Sequence, residues 1–276
     1  MSGAALVLVG TPIGNLGDLS ARAAEELGRA DVVACEDTRR TGRLLAHIGV
    51  RAPKLLVVND HTESAAVADV LARLDRGERV AVVTDAGMPG ISDPGERLVR
   101  AAAAAGHTVE VVPGPSAAIT ALVGSGLPTG RWVFEGFLPR QGSGRTERLA
   151  ELAGERRTVV LYEAPHRLAR TLADLAETLG ADRHVVVARE LTKLHEQVWR
   201  GRLDQAVEAC AQVGPRGEYV LVVAGAPPPA SVSDEELAEA VAREVRAGRS
   251  TRDSVALVAG RFGVARRRVY DLATRT

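Results

Sequence analysis

Short apolar runs alternate with helical patterns from the first residues of this chain, and that alternation limits the folds open to it. Ala4–Val9, Asp31–Ala34, Leu55–Val58, Arg79–Thr84 and Thr108–Val112 are each four to six residues long and read as strands. Between them, Leu19–Leu27, Arg39–Ile48, Glu63–Leu74 and Pro94–Ala105 carry apolar residues at helical spacing. Asp18 or Ser20 can cap the first of these helices, and Gly77 stops the third. Strands separated by helices join through crossovers, so this half is expected to form a mostly parallel sheet covered on both faces.

A second alternation begins near Arg131. Trp132–Glu135, Thr158–Tyr162, His184–Ala188 and Glu218–Val223 read as strands, and Thr146–Ala153 and His166–Leu179 as helices. Glycine and proline interrupt the pattern at Ser125–Gly130, which places a boundary there. The stretch GAPPPAS, Gly225–Ser231, reads as a linker. Beyond it Asp234–Val245, Asp253–Arg261 and Ala265–Thr274 have helical spacing, the last two joined by a short glycine-containing break. That pair resembles a helix-turn-helix, with Arg266, Arg267 and Arg268 opening its second helix. The expected division is an α/β domain over residues 1–125, a second over 126–225, and a linker with a helical appendage over 226–276.

Composition narrows the setting. The 276 residues are 46% hydrophobic and 25% charged, enough apolar material for a sizeable core. No apolar run reaches the roughly 18 residues a membrane helix needs. The start, MSGAALVLVG, lacks the basic n-region of a secretory leader. Cys35 and Cys210 give no disulfide framework, and a cytoplasmic protein is expected. With 35 basic and 35 acidic residues, no global charge draws the chain to nucleic acid. The C-terminal end departs from this balance: Arg246–Thr276 holds eight arginines against Asp253 and Asp271. His47, His107 and His184 read as structural, and no histidine–carboxylate spacing fits a metal, so none is expected.

The loops after the strands carry the chemical information. Thr11–Asp18 reads TPIGNLGD, which is neither a dinucleotide fingerprint nor a Walker loop. Thr84–Gly95, TDAGMPGISDPG, is rich in glycine and proline and offers main-chain groups to a polar ligand. PGPSA, Pro113–Ala117, opens a helix at Ser116. These loops follow strands of one expected parallel sheet, so they share its carboxyl edge, where open α/β sheets bind ligands. Charged clusters EDTRR (Glu36–Arg40), Asn59-Asp60-His61, YEAPHR (Tyr162–Arg167) and RELTK (Arg189–Lys193) also follow strands. Any one of them could be a helix cap or an ion pair, but together they exceed what sheet packing requires.

The ordered set TPIGNLGD, EDTRRTGRLL, TDAGMPGISDPG, PGPSA, EGFLPR, YEAPHR, ARELTKLHE and PRGEYVLVV resembles the ribosomal RNA small-subunit methyltransferase I family of the tetrapyrrole-methylase superfamily. The resemblance runs from Leu6 to about Val223. It implies a two-domain tetrapyrrole-methylase-like α/β fold with a helical appendage, a homodimer, and S-adenosylmethionine as methyl donor. The implied reaction is 2′-O-methylation of cytidine 1402 of 16S rRNA in the 30S subunit. By motif, Pro12, Asp85, Ala86, Gly87, Met88, Ser116 and Ala117 would contact the donor, joined from the second domain by Tyr162 and Leu191. Met88 stands where family members often carry threonine. Asn59-Asp60-His61-Thr62-Glu63 stands in place of an NEHNE-like run.

An activated methyl asks the enzyme mainly for alignment. A hydroxyl nucleophile also gains from a nearby base, for which Glu36, Asp37, His61, Glu163 and Glu190 are candidates. Arg39, Arg40, Arg140, Arg167 and Lys193 are candidates for holding RNA phosphates. At 3% aromatic residues, recognition should lean on phosphates and RNA shape more than on stacking. Two other readings are methylation of a carboxylate-rich corrinoid precursor and a non-enzymatic nucleic-acid binder using the C-terminal helices.

Overall fold

The computed structural model describes residues 3–51, 54–59, 62–212, 216–228 and 232–274. Five strands open the chain: β1 (Ala5–Val9), β2 (Val32–Cys35), β3 (Lys54–Val57), β4 (Arg79–Val82) and β5 (Val109–Val112). Helices α1 (Ala21–Arg29), α2 (Thr38–His47), α3 (Glu63–Asp75) and α4 (Glu96–Ala104) connect them, and α5 (Ala117–Ser125) follows β5. The sheet runs β3-β2-β4-β1-β5 and every pairing in it is parallel. The unbroken apolar run of β1 follows from burial on both faces. Val7 and Val9 pack with Leu27, Val33 and Leu45 on one side; Leu6 and Leu8 pack with Val70, Leu74 and Leu98 on the other. Ser20, not Asp18, caps α1, its hydroxyl accepting from Ala23 N–H at 3.1 Å. Asp18 instead ends a 3-10 turn whose cap is the Asn15 side chain.

The second half holds β6 (Trp132–Phe137), α6 (Ser143–Ala153), β7 (Thr158–Glu163), α7 (Leu168–Leu179), β8 (His184–Arg189), β9 (Gln197–Arg202), α8 (Leu203–Gln212) and β10 (Tyr219–Val223). The order is β6-β7-β10-β8-β9. This unit was expected to resemble the first, but its sheet is mixed. Only β6 and β7 pair in parallel, and β10 lies antiparallel between β7 and β8. The connection from β8 to β9 is a short loop, which an antiparallel pair permits without a crossover. The pattern reading missed β9 because QVWRGR is a partly exposed, charged edge strand. It missed α8 as well.

One face of the second sheet packs on α6, α7 and α8 through Leu161, Leu172, Leu175, Val187 and Leu221. The other face packs on α5. Ala118, Ala121 and Leu122, with Ile13 from the first half, are buried against Val160, Val186, Val220 and Val222. Each large apolar side chain in such a core contributes roughly 1.5–3 kcal/mol relative to exposure. The two sheets therefore share a core within one compact unit, 1–226.

Residues 227–276 form a second compact unit with its own core of Leu237, Val241, Val255, Val258 and Val269. It contains α9 (Asp234–Arg246), α10 (Thr251–Phe262) and α11 (Arg266–Ala273). Ser233 and Glu236 form a reciprocal capping box at the start of α9. Gly263, at φ +63°, ends α10 in the left-handed conformation that lets the chain turn into α11. Arg266 and Arg267 are exposed, whereas Arg268 pairs with Asp234 at 2.7 Å.

Candidate functional site

Three loops leave the carboxyl ends of β1, β4 and β5, which are neighbours in the first sheet. They are fastened to one another by main chain. Thr11 N–H donates to Gly87 O at 2.9 Å, and Gly87 N–H donates back to Thr11 O at 3.2 Å. The Thr11 hydroxyl donates to Thr84 O at 3.1 Å. Gly10 lies so close to the PGPSA turn that a Cβ on it would sit 2.6 Å from Gly114 Cα and 2.7 Å from Met88 Sδ. A Cβ on Gly114 would meet Gly10 just as closely. No side chain fits at either position. Gly87, at φ +88°, makes the turn that returns the chain to Thr11.

The far end of this loop is held from a distance. Glu63, at the start of α3, is buried and accepts from Gly95 N–H at 2.9 Å and Arg97 N–H at 3.0 Å. It thus caps α4, whose own cap residue is a glycine. Asn59 and Thr62 exchange side-chain-to-backbone bonds just before it. Asp60 and His61 lie outside the described residues.

A cavity of about 310 Å³ opens beside these loops. From the first half it is lined by Ile13, Ala86, Gly87, Met88, Ile91, Asp93, Ser116 and Ala117. From the second half come Phe137, Tyr162, Glu163, Ala164, Pro165, Leu191, Glu218, Tyr219 and Val220. Among the described residues, three carboxylates stand in this wall and no lysine, arginine or histidine does. The register of β6 against β7 shifts between Phe134 and Gly136, a bulge with Glu135 as the extra residue. The extra residue carries Phe137 to the face that Phe134 occupies. Both rings meet Tyr162 edge-on, at centroid distances of 5.0 and 5.7 Å. Tyr162 Oη accepts from Ala118 N–H at 3.3 Å, tying the second sheet to the start of α5. Burial pushes its phenol above the usual value.

Seven residues named from the sequence as donor contacts line the cavity: Ala86, Gly87, Met88, Ser116, Ala117, Tyr162 and Leu191. Pro12 and Asp85 stand outside its lining. Pro12 is buried beside Thr11. Asp85 turns toward Arg40, with Oδ2 at 3.3 Å, and its N–H donates to Glu36 Oε1 at 3.3 Å. Asp85 Oδ1 is buried with no hydrogen-bond partner among the described residues. Burial raises this carboxyl above its ordinary value, and the half-exposed Arg40 only partly offsets that.

His61 lies outside the described residues, and among the candidate bases within them only Glu163 borders the cavity. Its carboxylate accepts from Ala164 N–H at 2.8 Å and from the Thr171 hydroxyl at 2.5 Å, and pairs with Arg167 at 3.2 Å. Asp37 caps α2, and hydrogen bonds from the Arg39 side chain and N–H hold it at about 2. Glu36 serves Asp85. Burial would raise Glu190, but bonds from Lys193 and Glu218 N–H outweigh that and lower it. The expected phosphate contacts are spent in a similar way. Arg39 is held by Asp37, Arg40 by Asp85, Arg167 by Glu163 and Leu138 O, and Lys193 by Glu190 and Glu218. Arg140 is exposed and has no side-chain partner among the described residues.

The sequence pattern described as Tetrapyrrole (Corrin/Porphyrin) Methylases matches residues 5–207 of this chain. The chain belongs to the tetrapyrrole methylase family. Its relatives include proteins named ribosomal RNA small subunit methyltransferase I. One from Synechocystis sp. is 46% identical over 97% of this chain and 96% of its own length. Another, from Mycobacterium tuberculosis, is 46% identical over 98% and 95%. Solved tetrapyrrole methylases share the fold. The methyltransferase CobJ superposes with a TM-score of 0.62 at 22% identity, over 82% of this chain and 95% of that one. Uroporphyrin-III C-methyltransferase from Thermus thermophilus, complexed with S-adenosyl homocysteine, gives 0.56 at 20%, over 80% and 97%.

Sequence reasoning did not single out Ile13, Ile91, Phe137, Pro165, Glu218, Tyr219 or Val220 as cavity residues. Each lies inside or beside a motif quoted above. The available signal was proximity to that motif, and the bulge that turns Phe137 inward leaves no mark in composition.

Proposed function

We propose that this tetrapyrrole methylase transfers a methyl group from S-adenosylmethionine to the ribose 2′-hydroxyl of cytidine 1402 of 16S rRNA, acting on the 30S subunit as a cytoplasmic homodimer. One observation carries the reading. In a chain 46% identical along its length to ribosomal RNA small subunit methyltransferase I, the motifs TPIGNLGD, TDAGMPGISDPG, PGPSA, YEAPHR and RELTK each give residues to one cavity.

The residues present fit the donor. Bound S-adenosylmethionine supplies an electrophilic methyl on a positively charged sulfur. A wall holding Asp93, Glu163 and Glu218, and no basic side chain among the described residues, suits a cation. The same wall would repel the carboxylates of a corrinoid precursor. Ile13, Met88, Leu191 and Val220 offer apolar surface, while Ser116, Tyr162 and the backbone around Gly87 offer polar contacts. Pro12 and Asp85 act from behind the wall by fixing the loops that carry Ile13 and Ala86.

The chain's own work is alignment and exclusion of water, with the acceptor oxygen brought in line with the methyl. Glu163 takes the base role, as the one candidate carboxylate at the cavity. Hydrogen bonds accepted from Ala164 N–H and the Thr171 hydroxyl, together with the Arg167 ion pair, fix its orientation.

The test offers purified enzyme and labelled donor to 30S subunits lacking this methylation, with a corrinoid precursor as competitor. Label on the ribose of cytidine 1402 is expected. Label in the macrocycle alone, or no label in RNA, overturns the proposal. In the same assay Glu163→Gln should lose turnover and alter the pH–rate profile. An unchanged profile removes Glu163 from the base role.

A further inference from the structure

A second hollow, about 170 Å³, lies next to the cavity and is its electrostatic opposite. Arg140, Arg145, His166, Arg167, Arg170 and Thr171 line it. The two hollows share a wall. Pro165 lines the cavity and His166 lines the recess, consecutive residues of one 3-10 turn. The Glu163–Arg167 ion pair joins the two linings as well, since Glu163 belongs to the cavity and Arg167 to the recess.

The recess has a fixed floor and a free rim. Arg145 is buried; it donates to Asp174 at 2.8 Å, to Pro139 O at 3.0 Å and to the Thr171 hydroxyl at 2.9 Å. Thr171 passes this order on to Glu163. Arg167 donates to Leu138 O at 2.6 Å. These groups are committed to the fold. At the rim, Arg140 and His166 are exposed without side-chain partners among the described residues. Arg170 is also exposed and reaches Asp174 only at 3.8 Å. Four guanidiniums thus meet two carboxylates, Glu163 and Asp174, and the excess positive charge stands at the opening.

From this juxtaposition we infer that the recess is a phosphate seat for the RNA strand whose ribose enters the cavity, held by Arg140, Arg170 and His166. It rests on the reading of the cavity as a ribose-methylating site. It separates the labour: an acidic pocket takes the cationic donor, and a basic one a few ångströms along the chain takes the anionic backbone. Guanidinium groups with unspent donors suit phosphate oxygens geometrically. Contacts of this kind position RNA without reading its sequence.

The test measures binding of 30S subunits across a salt series, with donor affinity by calorimetry on the same preparations. Arg140→Ala/Arg170→Ala should weaken 30S binding and make the slope of log K against log salt shallower by about 1–2. Donor affinity should not change, which also shows that the variant is folded. Arg140→Lys/Arg170→Lys should restore much of the slope. Arg22→Ala/Arg100→Ala, two exposed arginines of the first half, serves as the control for bulk charge. An unchanged slope in the alanine variant, or an equal drop in the control, overturns the inference. Failure of the wild-type enzyme to methylate 30S subunits would instead overturn the reaction assigned to the cavity, and the salt slopes report on the recess independently of that result.

Discussion

The two sheets wall one cavity by different means. Loops from the first sheet present main chain: Gly10 and Gly114 touch where side chains cannot fit, and Thr11 pairs with Gly87 as a strand would. The second sheet presents side chains, and each is held by a partner. Glu163 is fixed by Arg167 and Thr171, Glu218 by Lys193, and Tyr162 by Ala118 N–H and two phenylalanine rings. The first wall therefore depends on shape and the second on charge and hydrogen bonding. They should fail differently when altered.

The largest effect is expected at Glu163→Ala. Removing one member of a buried ion pair strands the other, at a cost of about 3–5 kcal/mol, read from urea or thermal unfolding. Loss of donor binding with an unchanged midpoint would mean that the pair does not hold the second wall. Gly10→Ala should come next, at about 1–3 kcal/mol for a Cβ forced against backbone, with weaker donor binding by calorimetry. An undisturbed Gly10→Ala would show that the loops part easily and that shape is not what the first wall supplies.

Tyr162→Phe keeps both ring contacts and removes the hydroxyl that accepts from Ala118 N–H and bonds the Ser116 side chain. A cost of about 0.5–1.5 kcal/mol is expected, and a larger one would make this bond the main tie between the walls. The smallest effect belongs to Asp85→Asn and turns on pH. Because burial raises the folded-state pKa of Asp85 above its ordinary 3.8, the folded chain holds this proton to higher pH than the unfolded chain does. Stability from this group is therefore highest in acid and falls as pH rises through the folded value. The asparagine variant should be the more stable protein at pH 7, and the advantage should vanish below pH 4. An advantage that persists in acid would trace to packing rather than ionisation.

The first sheet was legible because a strand buried on both faces must be apolar throughout, as in Ala5–Val9, and glycine-rich loops between such strands stand out. The second sheet was less so. Its strands Thr158–Glu163 and Tyr219–Val223 look like those of the first, yet one runs antiparallel to the other, and direction leaves no trace in hydropathy. Gln197–Arg202 is an edge strand whose charges hide it. Charged motifs were visible, but how their charges are spent was not. Arg39 lies two residues from Asp37 and closes on it at the start of α2, whereas Arg140 meets no such partner among the described residues.

The core common to both sheets has a kinetic corollary. Ala118, Ala121 and Leu122 would have to leave Val160, Val186 and Val222 for the halves to swing apart, exposing a wide apolar seam to water. A jaw-like hinge is thus too costly to serve as an entrance. Small molecules therefore reach the cavity most cheaply through the mouth already present, past the loops at its lip.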